Sequence, residues 1–226
     1  MKRPSFEDYL KYIYRLEQDK PRVTTTRLAQ KLNVSPASAS EMVKRLAAES
    51  FVQLIPYHGV RLTPKGRKAA LHVVRRHRLW EMFLVQFLHY PWDKVHEEAE
   101  RLEHSTSPEL ERRIDEMLEF PTIDPHGDPI PSIEGKFITR SLKPLSSLKE
   151  GETAAIVRVD DDHPEMLAYF QEVGMTLRRR IRILKRMEID GSLVVRVGRH
   201  RRYLSRELAS RVFVQIEKRK KGKRTR

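Results

Sequence analysis

The 226-residue chain has no cysteine. That absence excludes disulfides, zinc–thiolate centres, iron–sulfur clusters and thiol catalysis, and it suits a reducing cytoplasm. No uncharged apolar run approaches the roughly 20 residues that a membrane span requires. The opening residues, Met1-Lys2-Arg3-Pro4-Ser5-Phe6-Glu7-Asp8, lack the apolar core of a secretory signal. A soluble cytoplasmic protein without membrane contact is therefore expected. His-Glu-x-x-His, a nucleophile–base pair and a phosphate-cradling glycine loop are missing too, so enzyme chemistry is not expected. No internal repeat is present.

What the chain does have is positive charge, unevenly spread. Its formal net charge is +14. Residues 1–72 carry 14 Lys/Arg against 6 Asp/Glu, residues 73–140 carry 9 against 14, and residues 141–217 carry 15 against 11. The segment 218–226 adds 7 basic residues and no acidic one. A basic front, an acidic middle and a basic end suggest nucleic acid at one end and a cation in the centre. The length accommodates two or three domains.

The basic front has a recognisable order. Residues 6–18 read as a helix, with Tyr9, Leu10, Ile13 and Leu16 at helical spacing, Pro4-Ser5 as the start and Asp8 in the first turn. Thr24-Thr25-Thr26 then opens a helix over Arg27–Leu32, Asn33-Val34-Ser35 makes a tight turn, and Pro36–Leu46 forms a second helix capped by Ser35. Two short helices around a three-residue turn predict a helix-turn-helix. Phe51 to Leu62 follows as two short strands turning at His58-Gly59, the wing of a winged helix. Thr26, Arg27, Ser35, Pro36, Ala37, Ser38, Ser40, Glu41, Lys44 and Arg61 are the expected DNA-facing residues, the small hydroxyls allowing close approach to base edges and phosphates. Arg45, Lys65 and Arg67 are further candidates for phosphate contact.

The acidic middle begins with a long helix over residues 67–89, ending at Pro91. From Leu71 to Leu88 it is apolar nearly all round, which suggests burial in a subunit interface. His77 and Glu81 interrupt it one turn apart. The stretch Lys94 to His104 contains no Pro or Gly, and on one continuous helix His96, Glu100, Glu103 and His104 fall at i, i+4, i+7 and i+8. Several carboxylates buried together need a counter-cation, so a metal is expected where this row meets His77 and Glu81. An amphipathic helix over Pro108–Phe120 follows, carrying Leu110, Ile114, Met117 and Leu118. A proline-rich loop over residues 121–136 then presents Asp124 and His126 as exposed candidate ligands.

Beyond a linker around 138–146 the pattern changes to period 2. Strands are expected over residues 153–159, 180–185, 192–197, 201–204 and 211–216, with a helix over Pro164–Glu172 between the first two. Several short strands in about 75 residues predict a small closed β-barrel. The basic segment 218–226 is low-complexity and expected to be disordered.

Taken together, Glu7-Asp8-Tyr9-Leu10, the helix-turn-helix, Arg76-His77-Arg78-Leu79 and the row from His96 to His104 make the chain resemble the diphtheria-toxin-repressor family of metal-dependent, dimeric transcriptional regulators. The resemblance covers nearly the whole chain. It implies a mainly α fold with a smaller β part: a winged helix-turn-helix over 1–72, a helical dimerisation and metal-binding domain over 73–140, and an SH3-like β-barrel over 141–217. The principal metal site it implies uses Asp8, Glu100, Glu103 and His104, with His77 close by.

The family's iron-type members have Met and Cys where this chain has Asp8 and Glu100, whereas manganese-type members have carboxylates. Mn²⁺ is therefore implied, with Fe²⁺ second and other divalent metals such as Zn²⁺ able to bind in vitro. Lys11 stands where some short manganese regulators have a Glu ligand, which argues against their two-metal cluster. Longer, barrel-bearing members have an accessory site, implied here at Glu81, Asp124, His126 and Asp161, the last within the run Asp160-Asp161-Asp162. In iron-type members that site draws on His77, Glu81 and His96, leaving His96 as a ligand or a neighbour.

The resemblance implies a homodimer that binds a palindromic duplex-DNA operator and represses metal-uptake genes when metal is plentiful. The rival readings are a winged-helix regulator indifferent to metal, its carboxylates being structural, and, further off, a metallohydrolase built on the same cluster.

Overall fold

The computed structural model describes residues 5–19, 22–55, 59–137, 141–161 and 163–216. The wing-turn residue His58, Asp162 and the basic segment 218–226 lie outside the described residues. Two compact units result. One comprises Met1–Trp80, Ala99–Thr122 and Ile130–Phe137, and the other Glu81–Glu98, Ile123–Pro129 and Ile138–Arg226.

The first unit starts at α1 (Phe6–Asp19), whose entry is a capping box. The Ser5 hydroxyl accepts from the Asp8 amide at 3.1 Å, and Asp8 Oδ2 accepts from the Ser5 amide at 2.6 Å. Asp8 is thus held in position by its own helix end. Thr24 caps α2 (Thr25–Leu32) by accepting from the Arg27 amide, so the helix starts two residues before Arg27. Asn33, at φ 51°, makes the left-handed turn into α3 (Pro36–Ala48), which Ser35 caps. The wing strands β1 (Val52–Ile55) and β2 (Gly59–Leu62) pair antiparallel, Val52 opposite Leu62. Tyr9, Leu10, Ile13, Leu28, Val43 and Leu46 share one buried cluster with Val52, Val60 and Val74.

The long helix α4 (Pro64–Leu88) begins three residues earlier than the pattern of apolar residues indicates. Thr63 Oγ1 accepts from the Gly66 amide at 3.1 Å and supplies the cap, with Pro64 at the first helical position.

One sequence expectation is overturned in the acidic stretch. The helix α5 (Val95–Leu102) stops before the ligand row ends, and Glu103–Ser105 forms a 3₁₀ turn. The tighter winding rotates Glu103 and His104 away from the position a continuous helix would give them. His96 belongs to the second unit, while Glu100, Glu103 and His104 belong to the first. The single row of four is therefore divided between the two units.

The next helix, α6 (Pro108–Met117), ends short of Phe120 because Glu119 and Phe120 are left-handed, at φ 58° and 57°. Leu110 and Met117 are exposed, so its buried face is Ile114 and Asp115. Arg75 of α4 ties this part together, donating to Glu111 at 2.9 Å, Asp115 at 2.5 Å and the Pro131 carbonyl at 2.7 Å. A buried guanidinium satisfied by three acceptors is stable where an unpaired one would not be.

The second unit contains β3 (Lys143–Pro144), β4 (Thr153–Val159), α7 (Pro164–Glu172), β5 (Arg180–Arg186), β6 (Leu193–Val197), β7 (His200–Leu204), α8 (Arg206–Ser210) and β8 (Val212–Ile216). The period-2 reading passed over β3, which has two residues, and α8, which Ser205 starts by capping Leu208. Ladders run β3-β8-β4-β5-β6-β7, all antiparallel. Among the described residues no ladder joins β3 to β7, so the SH3-like sheet encloses its core without a complete ring of hydrogen bonds. Register shifts at Ile156/Arg158 and Ile183/Lys185 bend the strands around Leu145, Ile156, Phe170, Ile181 and Val195.

The loop Ile123–Pro129 packs on β4 in this unit. Val159 donates to the His126 carbonyl at 2.8 Å, and Asp124 Oδ1 accepts from the amides of His126 and Asp128, both at 2.9 Å. Asp124 and His126 are 2% and 0% exposed, which corrects the expectation of exposed ligands. Gly127 permits this approach: its φ is +95°, and a Cβ would lie 2.1 Å from the Val157 carbonyl oxygen. Gly127→Ala is expected to destabilise the second unit by about 2 kcal/mol or more. Thermal unfolding would register this as a fall of several degrees, and an unchanged midpoint would show that the loop can lift off β4 without cost.

Candidate metal centres

In the first unit, Asp8, Glu103 and His104 present ligand atoms within 4.8 Å of one another, as do His77, Glu100 and Glu103. Four elements supply these five residues: Asp8 comes from the α1 capping box, His77 from mid-α4, Glu100 from α5, and Glu103 and His104 from the 3₁₀ turn. Trp80 Nε1 donates to Thr106 Oγ1 at 2.7 Å, and that hydroxyl donates to the Leu102 carbonyl at 2.8 Å, fixing the turn.

The centre is strongly charged. Lys11 is fully buried, its ammonium 2.8 Å from Glu100 Oε1 and 2.5 Å from Glu103 Oε1. His77 Nδ1 lies 2.6 Å from the other Glu103 oxygen. The His104 ring faces carboxylates on both sides, Nε2 to Asp8 Oδ1 and Nδ1 to Glu7 Oε2, each at 2.8 Å. Both nitrogens can donate at once only in the metal-free imidazolium form. Its hydrogen bonds to Asp8 and Glu7 raise its pKa to about 9, against the opposing effect of burial. Burial works against ionisation of Asp8, yet the His104 and Ser5 hydrogen bonds outweigh it and bring the carboxyl down to about 2. Glu103 is also lowered: burial opposes its charge, and His77 and Lys11 more than compensate. For Lys11, desolvation is outweighed by Glu103 and Glu100, and its pKa is raised.

Glu7 and Arg76 complete the cluster, Arg76 donating to Glu7 Oε1 at 2.7 Å. Both residues stand inside the sequence motifs already quoted. Their pairing spans 69 positions, so no local pattern reveals it.

The second unit gathers another set. Glu81, Asp124 and His126, all buried, present ligand atoms within 4.8 Å of one another. His96 Nδ1 lies 3.1 Å from Glu81 Oε1 and 4.0 Å from Asp161 Oδ2. Asp160 instead pairs with Arg211 at 2.8 Å. The His126 ring stacks on Trp92, with centroids 5.4 Å apart, and its Nε2 faces the Trp92 carbonyl at 3.1 Å. That leaves Nδ1 buried and, among the described residues, without a hydrogen-bond partner, a nitrogen suited to a cation. Burial would lower the His126 pKa, but Glu81, Asp124 and Asp161 outweigh it and raise it. Carboxylate and imidazole donors without sulfur fit a hard to borderline divalent metal at both centres.

On the winged helix, Thr26, Ser35, Pro36, Ala37, Ser38, Glu41, Lys44 and Arg45 are exposed, and Arg27 and Ser40 are half-buried. Arg61 is exposed and donates twice to Gln53 Oε1, at 2.9 and 2.7 Å. Lys65 and Arg67 are committed within the fold. Lys65 donates to the Glu49 carbonyl and lies 4.0 Å over the Phe51 ring, and Arg67 pairs with Glu17 at 2.5 Å.

Known proteins give these centres a context. Residues 2–60 match the iron dependent repressor N-terminal DNA binding domain, 63–132 the iron dependent repressor metal binding and dimerisation domain, and 143–216 the FeoA domain. The chain is 30% identical over 223 residues to the iron-dependent repressor IdeR of Mycobacterium leprae (strain TN), covering 92% of this chain and 96% of that protein. A manganese-dependent transcriptional repressor solved in complex with manganese is 40% identical, with a TM-score of 0.86 over 94% of this chain and all of the other. ScaR with bound Cd²⁺ is 33% identical, with a TM-score of 0.80 over 94% of this chain and 99% of the other. These relatives are repressors, not enzymes. No helix among the described residues is long and apolar enough to cross a membrane. By sequence and fold, the chain belongs to the diphtheria-toxin-repressor family of metal-dependent transcriptional regulators.

Proposed function

We propose that the protein is a manganese-responsive repressor, acting in the cytoplasm as a homodimer on a palindromic operator, with Fe²⁺ as the second choice of metal. The carboxylate donors Asp8, Glu100 and Glu103 carry this reading, since oxygen ligands suit Mn²⁺ better than sulfur would. Asp8, Glu100, Glu103 and His104 are the proposed principal ligands, with His77 beside them. Glu81, Asp124, His126 and Asp161 are the proposed accessory set, with His96 as ligand or neighbour. We assign DNA binding to residues 1–72, dimerisation and metal binding to 73–140, and the barrel to 141–217. The apolar run Leu79 to Leu88, with Phe87 and Leu88 exposed in the single chain, supports a dimer surface.

The mechanism follows from which element each residue hangs on. Asp8 moves with α1, which packs against α2 and α3 and so carries the recognition helix. Glu100 sits near the end of α5, and Glu103 and His104 on the 3₁₀ turn that follows it. A bound divalent cation supplies concentrated positive charge that holds these carboxylates together. Linking Asp8 to the α5 residues sets the direction of α3 and thereby the match between two half-sites. Thr26, Arg27, Ser35, Pro36, Ala37, Ser38, Ser40, Glu41, Lys44 and Arg61 are proposed to meet DNA, the cations fixing register on the phosphates.

The test is DNA affinity titrated with Mn²⁺, Fe²⁺ and Zn²⁺ against a chelated control, on an operator selected from random duplexes. Mn²⁺ is expected to tighten binding about 5- to 150-fold, and Asp8→Ala to remove that response. If no metal changed the affinity, the proposed link between Asp8 and α5 would be wrong.

A further inference from the structure

The barrel carries a charge pattern that neither the metal centres nor the winged helix uses. Residues 178–206 contain 11 Lys/Arg and only 2 Asp/Glu. The strand register sorts several of these cations onto one face. Arg182 pairs with Arg196, and Arg196 with Arg201, placing three arginines in a row across β5, β6 and β7. The neighbouring row is Lys185, Val194 and Tyr203. All three arginines are exposed, and Tyr203 is 75% exposed, an aromatic ring left in water. With strands about 4.8 Å apart, the arginine row spans about 10 Å.

Like charges directly opposite one another destabilise a sheet, and the usual arrangement places an acid between them. Elsewhere in this unit arginines are paired with acids, Arg158 with Asp128 and Arg211 with Asp160. Among the described residues, no ion pair is formed by Arg182, Arg196 or Arg201. A surface kept at this cost fits an external polyanion. Duplex DNA presents about one negative charge per 1.7 Å of axis, so a 10 Å row faces several phosphates at once. The sugar–phosphate backbone offers the exposed Tyr203 ring a van der Waals or hydrogen-bonding partner.

We propose that the outer face of β5–β7 is a second DNA-binding surface, sequence-independent and separate from the recognition helix, with Arg182, Arg196 and Arg201 bound to phosphates. Its strength is set by salt and not by metal, which makes it testable apart from the metal-responsive reading.

The experiment uses the full chain and a mixed-sequence duplex without operator, with affinity measured over a salt series in Mn²⁺ and again in chelator. R182A/R196A/R201A is expected to weaken binding about tenfold or more near 50 mM salt. The slope of log K against log salt should become shallower by about 0.9 for each phosphate that is no longer neutralised. R182K/R196K/R201K, which keeps the charge, should stay close to wild type in both. These side chains are exposed, so an unchanged thermal midpoint serves as the folding control. Wild-type affinity and slope in the alanine variant would overturn the proposal. So would reduced binding to phosphatidylserine vesicles with DNA binding intact, which would make the face a lipid-binding surface.

Discussion

Glu103→Ala is expected to abolish metal-promoted DNA binding and to lower the stability of the first unit by about 3–5 kcal/mol. Glu103 is fully buried and uses both oxygens, one on Lys11 at 2.5 Å and the other on His77 at 2.6 Å. Truncation removes a proposed metal ligand and leaves a buried ammonium with Glu100 as its one remaining counter-ion among the described residues. Uncompensated buried charge is the expensive outcome, more so than the loss of attraction itself. Glu103→Gln separates the two effects. The amide keeps the shape and one acceptor, so it should unfold at a higher temperature than the alanine variant while still failing to respond to Mn²⁺. Thermal unfolding and metal-titrated DNA binding check both points. A Glu103→Gln protein with a full metal response would remove Glu103 from the ligand set.

Lys11→Met should produce an opposite split between metal-free and metal-loaded protein. The Lys11 ammonium now neutralises Glu100 and Glu103 from within the fold. Without it, two neighbouring carboxylates lose their shared cation, and the metal-free variant is expected to lose about 3–5 kcal/mol. Mn²⁺ should recover most of that loss, because it no longer competes with a resident charge for the same oxygens. For comparison, a metal present at 100 times its Kd stabilises a protein by about 2.7 kcal/mol. The Mn²⁺-induced rise in unfolding temperature should therefore be larger in the variant than in wild type, and calorimetric Mn²⁺ affinity should be higher. Equal Mn²⁺-induced shifts in the two proteins would mean that Lys11 and the metal do not share the site.

This role for Lys11 was only half legible in the sequence. Its position one turn after Asp8 announced a charge near the centre, but spacing does not say whether an ammonium points to water or into a carboxylate pair. The placement of Glu103 and His104 departs from the helical row that starts at His96 for a related reason. Helical spacing assigns residues to a common face only while the winding stays constant, and the change to a 3₁₀ turn at Glu103 broke that condition. Asp124 and His126 looked like loop ligands open to solvent because prolines and glycines surround them. Their burial comes from Gly127 lying against the Val157 carbonyl, an approach that no local pattern encodes.

By itself the sequence determined the elements and the chemistry available to them. Caps at Ser5, Thr24 and Ser35, the period of the strands and the carboxylates at Asp8 and Glu100 are local features, governed by a few neighbouring residues. Only the tertiary structure decided the partners. Asp8 and His104 are 96 positions apart, and Lys11 and Glu103 are 92 apart, yet each pair is within hydrogen-bonding distance. Polar contacts from α1 to Glu100 and to the 3₁₀ turn join them, and Lys11 and Glu103 are fully buried, so that each must find an opposite charge within reach.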